Sequence, residues 1–239
     1  MSKRSDKIAI VTGGTGALGR IVVERLLQTG ANVIVTHTGN AASSDYILSL
    51  QNRGLNIEGS IVDVTSDNSV DSFYTEIIKK YNRIDILCNL VGAVSSKKNI
   101  EDISLDDWNA MLNVNLQSCF LMIKNSIRAM KKNGFGRIIS IAAMPGVTPE
   151  AKRGGYGVAK AGIIALTKTV AEEIKEFGNI TINAIAPSII VTDENRKWGT
   201  EEEIKKWVTP EQIADMIVYL CSESGTAFNG QILQMYGKV

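Results

Sequence analysis

A short β-branched run over residues 7–12 (Lys-Ile-Ala-Ile-Val-Thr) gives way to Gly13-Gly14-Thr15-Gly16-Ala17-Leu18-Gly19, and a stretch with helical periodicity follows over 20–28. Few folds accommodate a strand, a glycine-rich turn and a helix in that order. The strand is short and almost wholly apolar, as expected for one buried on both faces of a parallel sheet. Glycines in such a turn let the backbone approach a pyrophosphate. The helix start adds N–H donors and the positive end of a dipole. A tight turn with no ligand is the alternative reading; the place of the glycines, between strand and helix, favours the phosphate site.

The same rhythm continues. Further strands are expected over 32–36, 56–62, 84–89, 137–142, 180–185 and 231–236, and helices over 40–53, 67–81, 105–132 and 156–177. A last helix should start at Thr209-Pro210-Glu211, with Thr209 as N-cap and Pro210 in the first helical position. Met144-Pro145-Gly146 reads as the beginning of a loop. Alternating strands and helices imply an α/β fold: a doubly wound, Rossmann-type parallel sheet of about seven strands, with right-handed crossovers and helices on both faces. With no linker, repeat or low-complexity segment, residues 1–239 read as a single domain. Residues 193–209 break the rhythm with a polar stretch carrying Trp198 and Trp207, and read as a mobile lid over a substrate pocket.

Composition narrows the class. A net charge of +1 gives no bulk attraction to nucleic acid or anionic membrane. No apolar run is long enough to span a bilayer, and the polar start over 1–7 does not resemble a signal peptide, so a cytoplasmic protein is expected. Cys88, Cys119 and Cys221 each lie in an apolar run and read as buried free thiols. His37 is the only histidine, so a zinc site or a histidine-based triad would rest on it alone; no metal is expected.

Tyr156 and Lys160 stand four residues apart on an expected helix, which puts phenol and ammonium on one face. A phenol ordinarily titrates near about 10, and a neighbouring cation lowers that value. The pair is a candidate proton donor to a carbonyl or imine under reduction; taken alone, it is equally two residues of an amphipathic helix. The second strand exits through Thr36-His37-Thr38-Gly39-Asn40, with neither an acid to grip an adenosine ribose nor an arginine to accept a 2′-phosphate. Nothing there repels a 2′-phosphate, and Thr36, His37, Thr38 and Asn40 offer donors, which tips the reading toward NADP(H) and leaves NAD(H) open. Asp63-Val64 closes the third strand. Asp63 can accept from an adenine amino group there while Val64 offers backbone groups to the ring, or Asp63 can cap the next helix. Asn115, polar within a long helical run, can cap it, kink it, or hold a water in a proton relay.

Together these residues resemble the short-chain dehydrogenase/reductase family over nearly the whole chain. Its cofactor motif Thr-Gly-x-x-x-(Ala/Gly)-x-Gly matches Thr12, Gly13, Ala17 and Gly19, and its Asp after the third strand matches Asp63. Its Asn-Asn-Ala-Gly turn appears as Asn89-Leu90-Val91-Gly92, its Asn as Asn115, and its Tyr-x-x-x-Lys as Tyr156 and Lys160. Its Pro-Gly segment appears as Pro187-Ser188, with Thr192 in the place of the carboxamide-binding threonine. The resemblance implies an NAD(P)-dependent oxidoreductase acting on a small molecule. It implies pyrophosphate contacts at Gly13, Gly16, Ala17, Leu18 and Gly19, with Asn89 and Gly92 at the ribose region. It also implies catalysis by Tyr156, Lys160 and Asn115, and a homo-oligomer, dimer or tetramer, formed through the helices at 105–132 and 156–177.

One departure stands out. The serine that in this family precedes the tyrosine by thirteen residues is Ala143 here. Ser140, three residues up a strand, should face the other side of the sheet, whereas Thr148 lies in the loop. Loss of one such donor typically costs about two to three orders of magnitude in an enzyme that relies on it. Three expectations follow. One is chemistry built without the hydroxyl, as in the dihydropteridine reductase branch of the family, which the stretch Thr192, Asn195-Arg196-Lys197, Trp207 and Thr209-Pro210 also resembles. The others are a dinucleotide-binding sensor with little turnover, and a carbonyl reductase in which Thr148, a water or a backbone N–H stands in. Arg196 and Trp198 are candidate substrate contacts, with a solvated charge on the lid as the plainer reading of Arg196.

Overall fold

A computed structural model describes residues 7–239. The polar start of the chain, over 1–6, lies outside the described residues. Seven parallel strands form one sheet in the order β3-β2-β1-β4-β5-β6-β7. They are β1 (Ile8–Thr12), β2 (Asn32–His37), β3 (Ile57–Ile61), β4 (Ile86–Asn89), β5 (Gly136–Ile141), β6 (Ile180–Pro187) and β7 (Ile232–Met235). Alternation along a strand sends successive side chains to opposite faces. Ile8 and Ile10 of β1 enter a core with Phe73, Met122, Ile138 and Ile163, whereas Ala9 and Val11 enter a second core with Val23, Leu26, Ile139 and Ile213.

The first core is covered by α3 (Asp67–Tyr81), α5 (Ser118–Asn133) and α7 (Gly154–Ile174), and the second by α1 (Ala17–Gln28), α2 (Ala41–Asn52) and α10 (Pro210–Cys221). Thr209 caps α10 in a reciprocal box with Gln212. The three cysteines are free and buried. Among the described residues no helix is long and apolar enough to cross a membrane.

Two expectations are corrected. The helix expected over 105–132 is two helices, α4 (Leu105–Leu112) and α5, joined by a π turn at Asn113–Gln117. The loop expected at Met144-Pro145-Gly146 is a short helix, α6 (Met144–Val147), with its proline in the first turn, where no N–H is required. The stretch expected as a lid holds two more short helices, α8 (Asp193–Arg196) and α9 (Glu201–Ile204). Its end is fastened: Trp207 is buried, Val191 N donates to Val208 O at 2.8 Å, and Lys238 N donates to Lys206 O at 2.9 Å.

Candidate active site

The strand order reverses between β1 and β4, and a parallel sheet opens a crevice at such a point, beyond the C-terminal strand ends. Thr12, Asn89 and Ser140 stand level there, paired in register across β1, β4 and β5. Thr12 Oγ1 accepts from Leu90 N at 3.0 Å and Val91 N at 3.3 Å, tying the loop after β4 to the end of β1.

The glycine turn has the shape of a phosphate cradle. Gly13 sits at φ +65, and a Cβ on Gly19 would fall 2.1 Å from Gly13 O, so neither position admits a side chain without moving backbone. Gly16 is the N-cap of α1 and offers no capping side chain, so the first N–H groups of the helix face outward with exposed Gly16 and Ala17 beside them. Leu18 packs against the second core. These features fit a dinucleotide pyrophosphate.

The exit of β2 differs in part from expectation. Thr36 is buried in the strand and offers nothing to a ligand outside, and His37 Nδ1 accepts from Gly39 N at 3.1 Å. Asn40 is the N-cap of α2: its Oδ1 accepts from Ser43 N at 2.9 Å, leaving Nδ2 on Thr38 Oγ1 at 3.4 Å. Sequence reasoning missed the contact between Ser43 Oγ and Thr15 Oγ1, 3.0 Å, which joins the start of α2 to the glycine turn. The Asn-x-x-Ser spacing was its only local signal.

Asp63 does not cap α3, because Ser66 is the N-cap. One Asp63 oxygen instead accepts from Thr65 N at 2.9 Å and Thr65 Oγ1 at 2.7 Å, bonds that hold its carboxyl below the usual range. The residue is exposed, with Val64 buried beside it.

Asn115 lies fully buried in the π turn, which frees the Met111 carbonyl from the helical ladder. Its Nδ2 donates to Met111 O and to Ala93 O, both at 3.0 Å, and its Oδ1 accepts from Ala93 N at 3.2 Å. Both side-chain N–H groups are thus committed, and the residue pins the loop after β4. Gly92 in that loop is pressed against the site: a Cβ there would lie 2.8 Å from Asn115 Oδ1 and 3.2 Å from Lys160 Nζ. Asn89 Nδ2 reaches Ser140 Oγ at 3.3 Å and Cys119 Sγ at 3.5 Å.

Tyr156 and Lys160 are on successive turns of α7. Lys160 is buried and donates to Ile141 O at 2.8 Å, with Nζ 5.7 Å from the Tyr156 ring centre. Burial pulls its ammonium down to about 8, opposed by Cys119 nearby. The expected acidification of the phenol by this lysine is not what the geometry delivers. Burial pushes Tyr156 up to about 12, the cation drawing it down is Arg153, and Glu150 pushes it further up. Desolvation outweighs the neighbouring charges.

Ala143 is buried at the exit of β5, directly before α6. Ser140 is buried below it and its hydroxyl is taken up by Cys119 and Asn89, whereas Thr148 is exposed at the end of α6. Pro187 ends β6, and Ser188 Oγ donates to Tyr236 O at 2.8 Å. Thr192 caps α8, its Oγ1 accepting from Asn195 N at 3.2 Å. Trp198, 60% exposed, packs on Trp207 with ring centres 4.9 Å apart and planes tilted by 42°, and Arg196 is exposed.

The family profile described as short chain dehydrogenase matches residues 7–203. The chain is 33% identical to the 3-oxoacyl-[acyl-carrier-protein] reductase FabG of Aquifex aeolicus, covering 98% of each chain. It is 31% identical to the D-beta-hydroxybutyrate dehydrogenase of Rhizobium meliloti, covering 97% of each. The crystal structure of gox2181 superposes with a TM-score of 0.90 at 25% identity, over 97% of this chain and 94% of that one. This chain belongs to the short chain dehydrogenase family, and it is an NAD(P)-dependent oxidoreductase.

Proposed function

We propose that the protein reduces a small carbonyl or quinonoid substrate at the expense of NAD(P)H, with Tyr156 as proton donor. The observation that carries this reading is the junction of Asn115 and Lys160, both buried, with Gly92 pressed against them beside Tyr156, at the C-terminal ends of β4 and β5. A bound nicotinamide dinucleotide supplies the hydride. Gly13, Gly16, Ala17, Leu18 and Gly19 hold its pyrophosphate, Asp63 and Val64 its adenine, Asn89 and Gly92 its ribose region, and Thr192 with the backbone after Pro187 its carboxamide. Thr38, with the start of α2 and the Thr15–Ser43 pair, favours a 2′-phosphate and hence NADP(H). Tyr156 keeps its proton at neutral pH and gives it up only as negative charge builds on the substrate oxygen or nitrogen. Lys160 holds the nicotinamide ribose and the base of the relay. Because both Asn115 amide N–H groups are taken, a water that it positions donates to one of its oxygens. The exposed faces of α4 and α5, with a groove of about 540 Å³ lined by Leu112, Leu116 and Phe120, serve homo-oligomer assembly.

With Ala143 in place of the hydroxyl donor, the substrate is one that already draws electrons strongly, a quinonoid ring or an activated carbonyl. The test is NADPH and NADH oxidation against quinonoid dihydropterin, a quinone and acetoacetyl-CoA. Turnover on at least one is expected, falling about 10²- to 10⁴-fold in Tyr156→Phe with dinucleotide affinity kept. Ala143→Ser should leave the preferred acceptor nearly unchanged. A large gain on simple ketones would instead mark a weakened carbonyl reductase. Tight dinucleotide binding with no turnover on any acceptor would favour the second reading that Ala143 permits, a sensor.

A further inference from the structure

A 2′-phosphate adds about two negative charges to a dinucleotide, and the planar fork of an arginine is the side chain best shaped to meet them. Neither stretch that borders the adenosine end of the crevice supplies one. The turn over 13–19 has no cation. The exit of β2 offers only His37, whose Nδ1 accepts from Gly39 N at 3.1 Å and so carries no proton. A cation arrives instead from α1. Arg20, in the first turn of that helix, folds back toward the helix start, and its Nε donates to Thr15 O at 2.9 Å.

A chain of contacts fixes where this guanidinium stands. Thr15 Oγ1 lies 3.0 Å from Ser43 Oγ, Ser43 N donates to Asn40 Oδ1 at 2.9 Å, and Asn40 Nδ2 donates to Thr38 Oγ1 at 3.4 Å. Through Thr15, the arginine therefore borders the place where the β2 exit turns into α2, and in a sheet of this kind the adenosine ribose is gripped there. Its other support is Tyr46 of α2. The guanidinium carbon lies 4.4 Å from the centre of that ring, and the Tyr46 hydroxyl donates to Arg20 O at 3.2 Å. Tyr46 is buried, so the platform is fixed.

Held at Nε and on one face, Arg20 keeps both Nη groups for a ligand, and it is exposed. Among the described residues no carboxylate forms an ion pair with it, whereas Arg25, further along α1, is taken by Asp215 at 2.8 Å. A fork oriented beforehand loses little freedom when it grips a phosphate.

We propose that Arg20 is the residue that selects NADP(H): its guanidinium, carried by Thr15 and Tyr46, takes the 2′-phosphate in place of the arginine absent after β2. This rests on the reading of the start of α2 as the seat of a 2′-phosphate, and it names the cation that the reading lacked. Dinucleotide choice then resides in a side chain of α1, beside a pyrophosphate held by backbone.

The test is binding by the full chain with no acceptor present. Affinities for NADPH and NADH are read by tryptophan fluorescence quenching, and those for 2′,5′-ADP and 5′-AMP by calorimetry. The parent should bind NADPH and 2′,5′-ADP more tightly than their counterparts. Arg20→Gln should weaken NADPH and 2′,5′-ADP by about 10- to 100-fold and leave NADH and 5′-AMP within about two-fold. Added salt should weaken NADPH more steeply in the parent than in that variant. Arg20→Lys keeps the charge and loses the fork, so NADPH should weaken by about three- to ten-fold with NADH unchanged. It carries the test should Arg20→Gln fail to fold, and full parent affinity for NADPH in it would then sink the proposal. Equal weakening of all four ligands would make Arg20 a strut for the turn and overturn the proposal. If the parent prefers NADPH and Arg20→Gln keeps that preference, this inference alone fails. A parent that binds NADH as tightly as NADPH removes the 2′-phosphate reading and this inference together, and one that binds neither removes the functional reading as well.

Discussion

Gly13 and Gly19 at one end of the crevice, and Tyr156 and Lys160 at the other, are held by different means. The β1–α1 end is backbone throughout: a positive φ at Gly13, a near contact at Gly19, and helix N–H groups with no side chain in front of them. The β5–α7 end is built from side chains whose properties are set by distant partners. Lys160 leans on Ile141, Asn115 on Ala93, and Arg153 on Ser95. The first end has one geometry or none. The second can be retuned by single charges without losing its shape, which suits a fold whose dinucleotide is shared and whose substrates differ.

Three changes bear on that contrast. The largest effect is expected from Gly19→Ala, where the new Cβ would meet Gly13 O and the turn must open. Such overpacking costs about 1–3 kcal/mol, or about 10- to 100-fold in dinucleotide affinity, read by tryptophan fluorescence quenching. An unchanged affinity would show that the turn tolerates side chains and would erase the contrast. Next, Asn115→Ala strips Ala93 of both its partners and Met111 O of one, and should cost about 1–3 kcal/mol in chemical unfolding. Dinucleotide affinity should hold within a few fold.

The smallest effect is a pH dependence. Lys160 is drawn from 10.5 to about 8, so between those values the unfolded chain binds more protons. Its burial penalty is therefore present in full below about pH 8 and is relieved as pH rises toward 10.5. Tyr156, raised from 10.0 to about 12, acts in the opposite sense: its contribution is intact below pH 10 and is lost as pH climbs toward 12. The thermal midpoint of the parent should accordingly gain on that of Lys160→Met between pH 8 and 10. A constant gap would mean that Lys160 is solvated like a surface lysine.

The backbone end was legible in the sequence because its rules are local. Glycines placed between an apolar run and a helical period leave little else for the chain to do, and buried strands advertise themselves by composition. Thr36 was misjudged for an equally simple reason, since it is the last but one residue of β2 and its side chain turns into the sheet. The short helix α6 was read as a loop from its proline and glycine. Its support comes from α7, against which Gly146 packs so closely that a Cβ would lie 2.7 Å from the Lys160 carbonyl carbon. The acidity of Tyr156 was misjudged because spacing counts neighbours but not lost water. The Arg153–Ser95 bond carried no sequence signal, because it spans 58 residues.

The π turn at Asn113–Gln117 holds one residue more than a plain helix would need over the same path. Deleting a single residue there would let a plain helix cover the same path, so Trp108 and Met111 would keep their places against Gly155. The Met111 carbonyl would return to the helical ladder, no side chain would bridge it to Ala93, and the loop carrying Gly92 would lose its anchor. One codon thus separates a continuous helix from one that holds up the wall of the site.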